Sequence, residues 1–325
     1  MTTTTRVLRT AAAVLEHTFV VGETATDSST TVTVVVTDAV GATLASGTAT
    51  QAGTGRYTFP LPGQAQLQLL TVSWSATIAG AAVTETDLCE IVGGFFFTLA
   101  EGRASDPSLS DTTKYPTSAI ERARLEVERE CEQICDRAFV PRYARLIADG
   151  TGESDLVLAH PDPDRTMAHV RTIRSVRMAP RADQPFTAFS AAELAALQVA
   201  SDATLRRTDG ALFTRGFGNV IVELEYGLDA PPPDLVRAAY VALRARLHIP
   251  KSSIPDRASS FTSAEGGTYR LDMPGAYKTG IPPVDAAYAR YSRRSTTGPT
   301  GRRVAASRTL NFDPQYTSLF HGGRR

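Results

Sequence analysis

Two histidines and two carboxylates, His160, Asp162, Asp164 and His169, fall within one short stretch, and such a set could hold a metal ion. Pro161 and Pro163 space that stretch as a loop, and there is no HExxH pair on a helix to fix the geometry. Asp162-Pro163-Asp164 is ordinary turn chemistry, so a surface turn is expected here, with a metal-dependent hydrolase as the competing reading. Cys131 and Cys135 are one helical turn apart and could lend two thiolates to zinc. No CxxC and no nearby histidine completes a four-ligand set, and a free cysteine on an apolar stripe behaves as a small core residue. With Cys89 as the third cysteine, no disulfide framework is expected. GxSxG, P-loop and GxGxxG signatures are missing, and the glycines of GTGRY, GFGN and EGGTY suit turns. The expectation is no enzyme, no cofactor and no metal site. A protein that works through its interfaces needs none of them.

The stretch that must position everything else runs from Tyr115 to Arg142 and reads as one amphipathic helix. Pro116 suits a first helical position, where its missing N–H would have no intrahelical partner. Ile120, Ala123, Val127, Cys131 and Ile134 recur at steps of three and four, forming one apolar stripe. Glu121, Arg122, Glu126, Glu128, Arg129 and Glu132 are expected on the opposite, solvated side, with Arg122 and Glu126 in weak mutual support. The helix is expected to end near Asp136–Ala138, and Phe139-Val140-Pro141 to leave it extended.

With 325 residues, 42% of them hydrophobic, the chain can bury a sizeable core divided between domains. A formal net charge of zero gives no global argument for nucleic acid or membrane. No apolar run reaches the ~18 residues a membrane helix needs. The start, MTTTTRVLRTAAAVLEH, makes a poor signal peptide, so synthesis in the cytoplasm is expected.

From Val14 to Ile91 the pattern is all-β. Leu15, His17 and Phe19 alternate with polar neighbours, as do Val32, Val34 and Val36, then Tyr57, Phe59 and Leu61, then Val72, Trp74, Ala76 and Ile78. Period-two strands between turn signals predict a sandwich over residues 1–92, of immunoglobulin-like or prealbumin-like type. Trp74, the single tryptophan, is expected in its core, although a sugar-stacking role is the alternative. Gly93-Gly94 marks a boundary and a hinge, and Phe95-Phe96-Phe97 is expected to wedge between the domains.

Residues 93–250 then carry a short helix at TLAEGRA, the central helix, and a small set of strands. The strands are expected at Arg142–Ile147, Leu156–Leu158, His169–Met178 and NVIVELEYG, with a capped helix over Ser190–Val199. HVRTIRSVRM alternates imperfectly. Pro231-Pro232-Pro233-Asp234 opens a last long helix running to about His248. From 251 to 325 periodicity fades, apart from a short helix at Ile281–Tyr291. Twelve basic residues stand there against five acidic ones, with Phe312, Tyr316 and Phe320 among them. Spaced aromatics and arginines predict an extended arm that orders on a partner.

The block of YP-started helix, F-V-P-R exit, strands ending GNVIVELEYGLDAPP and the helix DLVRAAYVALRARL, roughly Phe97 to Tyr291, resembles the head–tail connector (adaptor) proteins of long-tailed bacteriophages. The phrase VTDAVGATLASGTATQAGTGRYTFPLP resembles small Ig-like modules of phage structural proteins. The resemblance implies an α+β multidomain chain: an N-terminal Ig-like sandwich, a mainly helical adaptor domain with a small antiparallel β-region, and a long C-terminal arm. It also implies a virion neck ring of about twelve copies, each contacting its neighbours. The portal protein would lie above the ring and a stopper or tail-terminator protein below. Packaged DNA would pass through the lumen without sequence-specific contacts, and no membrane would be involved. Ring and portal contacts are expected at Arg122, Arg129, Arg142, Arg237, Arg244, Arg293, Arg294, Arg302, Arg303, Arg308, Phe312, Tyr316 and Phe320. Small adaptors end soon after the second long helix, so the sandwich and the tail lie outside the resemblance. The competing function is host-glycan attachment through the sandwich.

Overall fold

A computed structural model describes residues 4–159, 167–181, 184–201, 203–248, 260–262, 268–270 and 277–293. His160, Asp162 and Asp164, and the arm residues Arg294, Arg302, Arg303, Arg308, Phe312, Tyr316 and Phe320, lie outside them.

The alternating N-terminal third forms β1 (Thr4–Leu8), β2 (Ala13–Thr18), β3 (Val20–Val21), β4 (Thr24–Ala25), β5 (Thr33–Thr37), β6 (Thr43–Thr48), β7 (Thr50–Gly53), β8 (Arg56–Leu61), β9 (Gln68–Ile78) and β10 (Ala81–Val92). A five-stranded sheet in the order β1-β10-β9-β5-β6 faces a three-stranded sheet, β2-β8-β7, while β3 and β4 pair with each other. All pairings are antiparallel except β1 with β10, which is parallel. One core lies between the two sheets. Val34, Val36, Val72, Trp74, Cys89 and Ile91 enter it from one side, and Leu15, Tyr57, Phe59 and Leu61 from the other. Trp74 is fully buried there, as its alternation predicts. His17 is also buried; its Nδ1 lies 2.6 Å from Asp87 Oδ2, its ring stacks on Trp74, and the pair ties the two sheets together.

The helical part comprises α1 (Leu99–Ala104), a 3-10 turn at Pro107–Ser110, α2 (Thr117–Cys135), α4 (Pro233–His248) and α5 (Pro282–Tyr291), with α3 (Ala191–Ala195) lying apart. Thr98 and Glu101 form a reciprocal capping box that starts α1. Pro116 occupies the N-cap of α2, and Asp136 ends it in the left-handed conformation. The apolar stripe of α2 packs on Leu235, Ala239, Ala242 and Leu243 of α4 and on Val284 and Tyr288 of α5. Helix α5, expected within the extended arm, is instead part of this core, because Val284 and Tyr288 fill the space beside Cys131 and Cys135. Phe96 and Phe97 sit in the same core instead of between domains, and the Arg124 guanidinium covers the Phe95 ring at 3.7 Å.

The remaining strands are β11 (Arg142–Gly150), β12 (Asp155–Val157), β13 (Val170–Met178), β14 (Thr187–Ala188), β15 (Leu197–Val199), β16 (Thr204–Arg207) and β17 (Gly216–Tyr226), with a separate hairpin of β18 (Ser260–Thr262) and β19 (Thr268–Arg270). They form a four-stranded sheet, β11-β17-β13-β14, and a three-stranded one, β12-β16-β15. This β-region is larger than the small one expected. Three of its strands run 9, 9 and 11 residues, and it buries a core of its own around Leu156, Val176, Leu205, Phe213, Val220 and Val222. The imperfect alternation of β13 has a structural cause: its register against β17 shifts twice, after Val170 and after Ile173. The helix expected over Ser190–Val199 stops at Ala195, because Leu197–Val199 leave it to pair with β16. Across the charged face of the larger sheet, Arg174 pairs with Glu225 and Arg177 with Glu223.

Candidate functional site

Where α2 meets the sandwich, five charged side chains converge. Arg6 of β1 reaches Glu90 of β10 at 3.1 Å, Glu128 of α2 at 2.7 Å and Glu132 of α2 at 3.1 Å. Arg142, the first residue of β11, closes the ring by bonding both Glu90 and Glu132. The second oxygen of Glu128 accepts the Phe96 backbone N–H at 2.9 Å. Glu128 is fully buried and Arg142 nearly so. Arg124, one turn before Glu128, donates to the Phe97 carbonyl. The charged side of α2 is therefore not uniformly solvated as expected: its Arg124-Glu128-Glu132 row, at four-residue steps, is turned onto the sandwich junction.

The electrostatics follow from this packing. Burial alone would raise the Glu90 carboxyl, but the Arg142 and Arg6 guanidiniums outweigh it and hold Glu90 below its ordinary value. Burial wins at Glu128, which is pushed up despite Arg6 and the Phe96 N–H. For Arg142, the Glu132 and Glu90 carboxylates overcome burial and fix the charged form. Such a network makes separation of its parts costly, since losing one partner strands a buried charge at about 3–5 kcal/mol.

The Gly93-Gly94 link is not the expected hinge. The Gly93 N–H donates to the Pro141 carbonyl at 2.9 Å, and a Cβ at Gly93 would come within 2.6 Å of the Pro141 ring. Glycine serves close approach of two backbones here.

A second feature lies at the far end of β17. Phe217 is 88% exposed, and Ile147, on the neighbouring strand β11 opposite Ile221, is 66% exposed. From Tyr226, beside the charge ring, the strand reaches Phe217 over about 30 Å at ~3.3 Å per residue. The tip is held from beneath by Asn219, which is buried. Its amide oxygen accepts the Gly150 N–H, and its nitrogen donates to the carbonyls of Ala179 and Thr214. Asp149 accepts the Gly218 N–H, and Gly218 takes a positive φ of 57° that favours glycine. An exposed aromatic on so fixed a backbone has the composition of an interface anchor. GFGN, expected as a turn, is instead the start of β17, and the glycines on both sides of its aromatic are the signal of that exposed tip in the sequence.

The arginines expected at ring and portal contacts fall in different places. Arg122 and Arg129 are exposed two turns apart on α2, and Arg237 is exposed on α4 with Arg244 half-buried two turns on. Arg142 is not the surface contact expected: it is buried inside the charge ring, bonded to Glu90 and Glu132. Arg293 is half-buried, its N–H bonded to the Cys135 carbonyl at the end of α2. Glu126, expected to support Arg122, meets Arg246 of α4 at 3.1 Å.

Of the metal candidates, His169 lies 3.5 Å from an Arg137 nitrogen, and burial followed by Arg137 and Arg293 lowers its pKa. Burial, with the Cys135 sulfur 4.0 Å away, raises the Cys131 thiol, and Cys89 is pushed up to about 12 by burial and Glu90. Protonated, buried thiols are poor ligands. Among the described residues, no cluster of three or more His, Cys, Asp or Glu is arranged to hold a metal. No described helix is long and apolar enough to cross a membrane. In the sandwich all four aromatics, Phe19, Tyr57, Phe59 and Trp74, are buried, so no described ring is available for sugar stacking.

No protein-family model matches the chain, and no curated protein matches it. Among solved structures, the chain is similar to one described as the neck of an empty GTA particle computed with C6 symmetry, at 17% identity and a TM-score of 0.37, over 62% of this chain and 93% of that chain.

Proposed function

We propose that the chain is a structural component of a phage-like particle, a head–tail adaptor whose copies close into a neck ring. The observation that carries this reading is the order and packing of the adaptor-like block: α1, the long α2, a sheet rooted at the FVPR exit, then α4 laid against α2. The placement of its charged groups supports the reading: the largest cluster, Arg6, Glu90, Glu128, Glu132 and Arg142, joins parts of the chain to one another. The exposed, fixed Phe217 tip supplies an anchor for contact with another protein.

In this reading about twelve copies form the ring through one repeated heterologous interface, which continues until rotation closes it. The portal lies above and a stopper or tail-terminator protein below, and DNA passes through the lumen. Arg122, Arg129, Arg237 and Arg244 contribute to ring and portal contacts, and the arm carrying Arg302, Arg303, Phe312, Tyr316 and Phe320 grips a neighbour or the portal. The sandwich is an Ig-like module docked on the adaptor part. Assembly takes place in the cytoplasm of a bacterial host.

Quantitative mass spectrometry of purified particles tests the reading. A copy number near that of the portal protein is expected. A number many times larger assigns the chain to decoration or tail shaft, and its absence from particles overturns the structural role.

A further inference from the structure

We infer that β1 is a latch: it locks the sandwich to α2 by carrying Arg6 into an acidic socket, and the sandwich comes away from the helices when β1 lifts. Three observations converge on this, none of which depends on the assembly reading.

First, the junction is polar where a permanent one would be greasy. The apolar cores of the sandwich, the helices and the β-region are three separate clusters with no residue in common. Among the described residues, the hydrogen bonds and ion pairs that cross from the sandwich include the charge ring, the Gly93–Pro141 hydrogen bond, and two arginines of the β-region that donate to sandwich carbonyls, Arg145 to Ala39 and Arg174 to Leu67.

Second, β1 is lightly held. It is an edge strand with β10 as its one sheet neighbour, and Val7 is its single buried apolar residue. Four residues, 9–12, separate it from β2, and they are tied down by two backbone hydrogen bonds, Arg9 N–H to the Val92 carbonyl and Thr10 N–H to the Gln64 carbonyl, which must open for β1 to peel away while β2 stays paired with β8.

Third, Arg6 is the strand's main hold on the helices, and its loss unbalances the junction. The socket holds three carboxylates, one from β10 and two from α2. Without Arg6, Arg142 is the one remaining guanidinium hydrogen-bonded to Glu90 and Glu132, with Arg129 acting on them only at longer range, and Glu128 keeps the Phe96 N–H but loses its ion pair. Like charges then oppose each other across the boundary between β10 and α2, and separation lets water reach them.

Hydrogen exchange of the full chain, read by mass spectrometry on wild type and Arg6→Met, tests the latch. Expected is exchange faster by about tenfold or more in residues 4–8, 92–97 and 128–135, with β9 and α4 protected as in wild type. Arg6→Met combined with Glu128→Gln removes one stranded charge and is expected to restore much of that protection. Arg9→Met, an exposed arginine just beyond the strand, is expected to change nothing. Unchanged exchange in Arg6→Met overturns the latch, and so does a rise spread evenly through β9 and α4. Failure of both Arg6 variants to fold also overturns it, since a latch opens without unfolding what it joins.

Discussion

Arg6 and Glu128 meet at 2.7 Å across 122 residues of chain, one from the first strand of the sandwich and the other from the middle of the longest helix. That contact joins the sandwich to α2, and Arg142 of β11 shares two of the same carboxylates. The consequences can be measured.

Arg142→Ala is expected to lower stability by about 3–5 kcal/mol, because it leaves Glu90 and Glu132 buried with a single shared cation. Arg122→Ala, at an exposed position on α2, is expected to stay within about 0.5 kcal/mol of wild type. Urea unfolding of the two variants gives the comparison. Equal, small effects would return Arg142 to the surface residues.

The acid limb of stability should carry the signature of Glu90. Its pKa is depressed in the fold, so its contribution is present above the ordinary value of 4.5 and is lost as pH falls through the depressed one. The stability gap between wild type and Glu90→Gln should therefore be widest near neutrality and close in strong acid. Glu128 runs the other way. With its pKa raised, its contribution is full below 4.5 and declines as pH rises through the raised value. Denaturant midpoints measured from pH 3 to pH 7 would separate the two.

Phe217→Ser is expected to leave the melting temperature unchanged, because the ring touches little of its own chain at 88% exposure. If the tip is an assembly anchor, the same change should reduce incorporation into particles tenfold or more, a loss in the range of interface hot spots. Asn219→Ala should reduce incorporation and also destabilise by about 1–3 kcal/mol, since it strands buried hydrogen-bond partners. Full incorporation of the Phe217 variant would remove the tip from the interface.

Gly93→Ala discriminates between a hinge and a contact point. A hinge would accept the methyl group. A contact point with 2.6 Å of room before Pro141 should be destabilised by about 1–3 kcal/mol through overpacking. Thermal melting of the variant decides.

The legible parts of this chain were those whose signal is local. Alternation marked β5, β8 and β9, and the three-and-four spacing of Ile120 to Ile134 marked the buried stripe of α2. Pro233 and Asp234 marked the start of α4. The illegible parts depend on partners far along the chain. Nothing near Glu128 and Glu132 announces Arg6, so a charged row on a helix looked like a solvated one; the recurrence of Arg124, Glu128 and Glu132 at four-residue steps was the faint clue. Leu197–Val199 continued a well-capped helix by local propensity, and pairing with β16 overrode it. Two adjacent glycines at 93 and 94 suggested freedom, and only the position of Pro141 shows that they provide room.

The place of β1 in the chain also sets an order of events during synthesis. Its strand partner, β10, is made some eighty residues later, and its helical partners, Glu128 and Glu132, later still. Although it precedes β2–β10, it is thus seated only after the rest of the sandwich has been made. Until β1 is seated, the edge of β10 stands open to any passing strand, and until α2 follows, Arg6 lacks two of its three carboxylate partners.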